Sequence, residues 1–134
     1  MLEKESIQSR GFKNTKENGK VTGFQVKIRS LYYRGLWLSQ LRPAMVKVDG
    51  TSYSGDQVTW TINGKTYTQS EMALLGDVHW GVLDTATLTV KKDGGLEPGY
   101  HDVEVSYLYS ASYLPPVIDT VFGVKPHNRR LLLV

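Results

Sequence analysis

Three histidines, His79, His101 and His127, and the strand-spaced carboxylates Asp102 and Glu104 have the widest chemical reach of any residues in this chain. Histidine titrates near neutrality and serves as acid, base or metal ligand. Two carboxylates at positions i and i+2 of a strand share one side. So placed, Asp102 and Glu104 offer half of a hard-cation site or an acid/base pair. The other requirements are missing. The histidines lie far apart, and the one next to carboxylates, His101, points to the face opposite Asp102. Without further ligands the pair reads as a solvated strand face. No serine sits in a Gly-x-Ser-x-Gly elbow. Gly94-Gly95 falls between strands, not at the helix N-terminus that a phosphate loop requires. The absence of cysteine excludes disulfides and thiolate metal sites. The expectation is that this chain carries no catalytic residue, no metal site and no cofactor of its own.

A second concentration of residues has the chemistry of binding. Tyr32, Tyr33 and Trp37 crowd together with Arg29, Arg34 and Arg42, with Gly35 between them. Trp, Tyr and Arg dominate the energetically important positions of protein interfaces. Tyr32, Tyr33, Arg34, Trp37 and Arg42 are therefore expected to contact a partner; a strand end tucked into the core is the plainer reading. Tyr113, Leu114, Pro115 and Pro116 form a stiff arm that loses little entropy on docking. That arm suits partner contact or a surface crossover between sheets.

These residues need a scaffold, and its punctuation is all-β. Phe24, Val26 and Ile28 alternate with Gln25, Lys27 and Arg29, which predicts a strand over 22–29 with one buried face. Asn18-Gly19 is a turn leading into it and implies a preceding strand near 6–13. Ala44 to Val48 is a short strand closed by Asp49-Gly50. Val58 to Ile62, Asn63-Gly64 and Lys65 to Thr68 read as a hairpin on a type I′ turn. Thr68 with Glu71 resembles a capping box and predicts one to two helical turns, the only helix expected. A short strand over 78–82 carries Trp80, and Thr85 to Lys91 alternates well. Tyr100 to Tyr109 is the longest strand expected. Pro115-Pro116 forbids ladder pairing, so 114–128 reads as an irregular arm before a final strand over 130–134. Trp60, Trp80, Tyr107 and Phe24 are expected in the core. The spacing predicts a single antiparallel β-sandwich domain over 1–134 with at most one short helix.

The bulk numbers agree with a one-domain globular chain: 134 residues, 40% hydrophobic, 22% charged, net charge +3. Lys and Arg are spread along the sequence rather than clustered, which argues against nucleic acid as partner. No apolar run approaches membrane-spanning length. The N-terminus lacks the apolar core of a signal peptide. Both point to a cytoplasmic chain with no membrane contact.

The chain also resembles the small β subunit of bacterial C-glycoside deglycosidases. The resemblance runs nearly end to end. It is carried by Ser9-Arg10-Gly11-Phe12 with Asn18-Gly19-Lys20 and Gly23-Phe24, then by Tyr32-Tyr33-Arg34-Gly35 with Leu38-Ser39. Val48-Asp49-Gly50, Gly64-Lys65-Thr66-Tyr67-Thr68 and Ala86-Thr87-Leu88-Thr89-Val90 before Gly94-Gly95-Leu96 continue it. Pro98-Gly99-Tyr100-His101 with Val103-Glu104-Val105, Ser112-Tyr113-Leu114-Pro115-Pro116 and a Leu-rich C-terminus complete it. Each piece alone is weakly specific; their order and spacing are more so.

The resemblance implies a β-sandwich subunit in a hetero-oligomer. Its partner would be a larger α subunit, an isomerase-like TIM barrel holding a divalent metal, expected to be manganese. The implied reaction is lyase cleavage of the C–C bond between a sugar and an aromatic aglycone such as a flavonoid, on a 3-oxo-C-glycoside. Oxidation at C3 acidifies the C2 proton, and its abstraction gives a metal-stabilised enolate able to expel the aglycone carbon. The base and metal ligands belong to the α subunit; no family catalytic residue maps onto this chain. Tyr32, Tyr33, Arg34 and Trp37 would then dock on the barrel, and Tyr113 to Pro116 would cover its active-site mouth. The alternative from a different class is a stand-alone carbohydrate-binding β-sandwich, with aromatic platforms stacking on sugar faces.

Overall fold

The computed structural model describes residues 6–29, 36–37, 44–72, 79–81, 84–106, 109–110, 121–122 and 127–133. Its strands in chain order are β1 (Lys13–Glu17), β2 (Lys20–Arg29), β3 (Leu36–Trp37), β4 (Met45–Val48), β5 (Thr51–Tyr53), β6 (Val58–Ile62) and β7 (Lys65–Thr68). After helix α1 (Gln69–Met72) come β8 (His79–Trp80), β9 (Thr85–Lys91), β10 (Gly99–Ser106), β11 (Tyr109–Ser110), β12 (Val121–Phe122) and β13 (His127–Leu133). Every ladder is antiparallel.

Two sheets carry the fold. One has the order β1-β2-β9-β6-β7 and the other β13-β10-β4-β5. The period-2 pattern explains why they stack. Phe24, Val26 and Ile28 of β2 and Ala86, Leu88 and Val90 of β9 are fully buried, while the residues between them are partly exposed. The second sheet contributes Val46, Val48, Val103, Val105, Leu131 and Leu133 to the same core. Phe24 meets Tyr53 of the opposite sheet edge to face, centroids 5.4 Å apart. Trp60 and Trp80 do the same at 5.5 Å. At one point the backbones leave no room for a side chain: a Cβ on Gly23 would lie 2.0 Å from the Val90 carbonyl oxygen.

Three hairpins share one turn chemistry. Asn18-Gly19, Asp49-Gly50 and Asn63-Gly64 all place both residues at positive φ, as a type I′ turn requires. The capping box forms as expected. Thr68 Oγ1 accepts from the Glu71 amide at 3.3 Å, and Glu71 Oε1 accepts from the Thr68 amide at 3.0 Å. It starts a helix of one turn.

Several expectations need correction. The strand near 6–13 is two stretches: Ile7 bridges to Ile28, and β1 begins at Lys13 and pairs further along β2. Asp49-Gly50 does not merely close a strand; it opens the β4–β5 hairpin. The long strand of 100–109 ends at Ser106, and Tyr109–Ser110 pairs instead with Val121–Phe122 in a separate ribbon. The arm over 114–128 therefore contains ordered strand, and the last strand starts three residues early, at His127. Tyr107 lies outside the described residues.

Candidate functional site

Four titratable side chains, Asp49, His101, Asp102 and Arg130, meet at one end of the second sheet. The left-handed conformation of Asp49, φ 48°, sits in the β4–β5 turn and turns its carboxylate toward β10. Oδ1 accepts the Asp102 amide at 2.8 Å, and Oδ2 lies 2.6 Å from His101 Nδ1. The Asp49 amide in turn donates to the Asp102 carbonyl at 3.0 Å. The other ring nitrogen of His101, Nε2, lies 2.6 Å from the Glu97 carbonyl oxygen. Phe12 packs its ring edge-on at 6.1 Å. The bond from the Asp102 amide, and after it the bond from His101, holds the Asp49 carboxyl below the usual aspartate range. Burial pushes the His101 imidazole down. The Glu97 carbonyl and the Asp49 carboxylate outweigh burial and raise it above its ordinary value. Burial, with the Asp49 charge second, pushes the Tyr53 phenol up.

Asp102 and Glu104 do share a face, as their spacing requires, but the face is already occupied. Asp102 Oδ1 accepts from Arg130 Nε at 3.0 Å. Glu104 stands opposite Lys47 on one neighbouring strand and Asn128 on the other. Together they line an open groove of about 510 Å³ with Gly50, Asp102 and Arg130. Its charged lining is mixed, with Lys47, Arg129 and Arg130 set among Asp102 and Glu104. Among the described residues no three His, Cys, Asp or Glu side chains converge as a metal site. The exposed large hydrophobics among the described residues, Met45, Tyr100 and Leu132, stand on this same outer face. Tyr100 and Leu132 are directly paired across β10 and β13.

The residues expected at a partner interface are only partly placed. Trp37 belongs to β3, whose backbone pairs Leu36 with Trp80 and Trp37 with His79. Trp80 is fully buried and its indole donates to the Asp84 carbonyl at 2.9 Å, so β3 is fastened to the core at that point. Tyr32, Tyr33, Arg34 and Arg42 lie outside the described residues, as do Tyr113, Leu114, Pro115 and Pro116.

Sequence reasoning missed two polar centres. One is His101 with Asp49, 52 positions apart; no spacing signal connects them. The other is Gln69, the first residue of α1. Its Oε1 accepts from the Ala44 amide at 2.5 Å and the Trp60 indole at 3.1 Å. Its Nε2 donates to the carbonyls of Ala44 and Gly55, both at 3.2 Å. It joins a first-sheet tryptophan to the start of β4 in the second sheet. No helix among the described residues is long and apolar enough to cross a membrane.

Comparison with known proteins adds what the geometry alone does not. The family model for the C-glycoside deglycosidase beta subunit matches residues 2–113. The chain is 44% identical to the C-glycoside deglycosidase beta subunit of Eubacterium cellulosolvens, across 99% of this chain and 100% of that protein. It is 34% identical to the 3'-dehydrocarminate deglycosidase beta subunit of a Microbacterium species, across 70% of each.

Proposed function

This chain belongs to the C-glycoside deglycosidase beta subunit family, and from that premise we propose that it is the non-catalytic subunit of a carbon–carbon lyase. The observation that carries the reading is the end-to-end similarity to a named beta subunit. A beta subunit implies a partner. The proposed partner is a larger, isomerase-like barrel that binds a divalent metal and holds the base. The proposed substrate is a 3-oxo-C-glycoside with an aromatic aglycone. The name of the Microbacterium relative, which specifies a 3'-dehydro form, supports a 3-oxo sugar.

The bonding of the acidic side chains is consistent with that division of labour. A general base needs a lone pair facing the substrate. Here Asp49 receives bonds from Asp102 and His101, and Asp102 receives one from Arg130. In this reading the chain acts by contact. Tyr32, Tyr33, Arg34, Trp37 and Arg42 dock on the partner, and Tyr113, Leu114, Pro115 and Pro116 reach over its active-site mouth.

The test is co-expression with a candidate isomerase-like α subunit, followed by size-exclusion chromatography and cleavage assays on a 3-oxo-C-glycoside. Co-elution, and turnover that needs both chains, is the expected result. Separate elution at micromolar concentration refutes the reading. Arg34→Ala with Trp37→Ala is expected to weaken assembly by roughly 3 kcal/mol; an unchanged complex would place the interface elsewhere. The exposed Tyr100 beside a polar groove is the feature that a stand-alone carbohydrate-binding module would use. Tight binding of glycosides by the isolated chain would favour that alternative.

A further inference from the structure

His101 has an acceptor at each ring nitrogen. Nδ1 faces the Asp49 carboxylate and Nε2 faces the Glu97 backbone carbonyl, both at 2.6 Å. A carbonyl oxygen can only accept. A neutral imidazole has one N–H, so it can satisfy one of these partners and must turn a lone pair toward the other. The imidazolium satisfies both. The alternative proton position, on Asp49, is disfavoured because Oδ1 already accepts the Asp102 amide, which stabilises the ionised carboxylate.

We propose that His101 is a proton-operated clasp: as imidazolium it ties the Asp49-Gly50 turn and the loop ending at Glu97 to β10 at once, and loss of its proton opens one side of that tie. Two of the surrounding groups, Asp49 and Glu97, favour the closed form. Asp49 comes from the β4–β5 turn, with Tyr53 of β5 near it, and the Glu97 carboxylate lies in the loop before β10. Arg130 of β13 acts on Asp49 and is itself paired with Asp102. Phe12 from the N-terminal segment and Leu131, opposite on β13, bring no charge. Desolvation works against the clasp, because only 11% of the His101 side chain is exposed.

Opening is local by construction. The preceding part of the loop is held independently of His101: Asn14 Nδ2 donates to the Leu96 carbonyl at 2.8 Å, and the Leu96 amide donates to Asn14 Oδ1 at 2.9 Å. Lys92 Nζ donates to the Gly95 carbonyl at 2.9 Å. The segment set free is therefore Glu97-Pro98, because the Asp49 turn stays bonded to Asp102 of β10 through Oδ1 and through its own amide. It lies just before exposed Tyr100 on β10. The protonation state of His101 thus controls the shape of one end of this outer face.

Because the folded value is raised above 6.5, the clasp's contribution to stability is complete below that pH and is lost as pH rises through the folded value. Long-range proton–nitrogen NMR of the full-length chain reads this directly, with His101 assigned by comparison with His101→Gln. Both ring nitrogens are expected to carry protons at pH 6.5, with a midpoint above that of free histidine. The Asp102 amide, bonded to Asp49, is expected to shift with the same midpoint. Asp49→Asn should lower the midpoint by about one pH unit or more. A neutral tautomer at pH 6.5, or a midpoint at or below 6.5, overturns the proposal; the wild-type titration decides this even if the variant does not fold. A folded Asp49→Asn chain with an unmoved midpoint overturns it too.

Discussion

Gln69 offers the most demanding test of how the two sheets are joined. Replacing it with Met keeps most of the volume and removes every hydrogen bond. The Ala44 amide loses its 2.5 Å acceptor at a residue 1% exposed, and the fully buried Trp60 indole loses the same oxygen at 3.1 Å. A buried donor stripped of its partner costs about 1–3 kcal/mol. The Ala44 and Gly55 carbonyls also lose donors, but their bonds are longer at 3.2 Å, and Gly55 is exposed, so water replaces much of that loss. The expected destabilisation is about 3 kcal/mol, or roughly 10 °C in Tm for a domain of this size. Urea unfolding measures it, with the midpoint falling and the slope m unchanged. Gln69→Glu sharpens the result. It keeps an oxygen for Ala44 and Trp60 but sets a second carboxylate oxygen against two carbonyls. That raises the folded carboxyl above its unfolded value. Gln69→Glu should therefore be destabilised at pH 7 and recover as pH falls through the raised folded value, because the protonated carboxyl can donate. A loss below about 0.5 kcal/mol for Gln69→Met would refute the claim that this side chain fastens the sheets.

Gly23→Ala should cost at least about 3 kcal/mol, or abolish folding, because its Cβ meets the Val90 carbonyl oxygen at 2.0 Å and backbone cannot yield cheaply. Gly19→Ala, with nothing within 4 Å but φ of 80°, should cost only about 1 kcal/mol; equal losses in chemical denaturation would contradict the packing argument. Asn14→Ala removes the reciprocal pair with Leu96 and should cost about 2 kcal/mol, with faster amide exchange at Leu96 as the local check. On the acid side, the Asp49 carboxyl is held below 3.8 in the folded chain. Its contribution is present above 3.8 and is lost as pH falls through the folded value. Asp49→Asn should flatten that part of the stability–pH curve; an unchanged acid limb would show that Asp49 does not titrate there.

The parts of the fold legible in the sequence are those set by local rules. Asn18-Gly19 and Asn63-Gly64 announce hairpins because both residues must adopt positive φ. The strand over Thr85–Lys91 was legible at both ends, since its buried face alternates without interruption. The Thr68–Glu71 cap follows from a three-residue spacing. What stayed hidden depends on partners. Alternation from Val103 through Tyr109 continues past Ser106, yet Tyr109 pairs in another ribbon, and a period-2 pattern cannot report a change of neighbour. Thr51–Tyr53 is three residues with two exposed positions, too short and polar to register as a strand. The His101–Asp49 contact spans two hairpins, and Gln69 looked like an ordinary first residue of a helix.

The fate of the ionisable residues links fold to function. Asp49, His101, Asp102 and Arg130 form one chain of contacts, in which each acid accepts bonds from groups that neutralise it. Such pairing lowers the carboxyl of Asp49, whereas proton abstraction near neutrality calls for a base tuned upward and left facing the substrate. As placed here, the Asp49 carboxylate is held by bonds from within the protein rather than left open as such a base. With Asp49 and Asp102 already bonded within the protein, these side chains lose little further ordering entropy when a partner docks on this face, which favours a subunit that acts by contact.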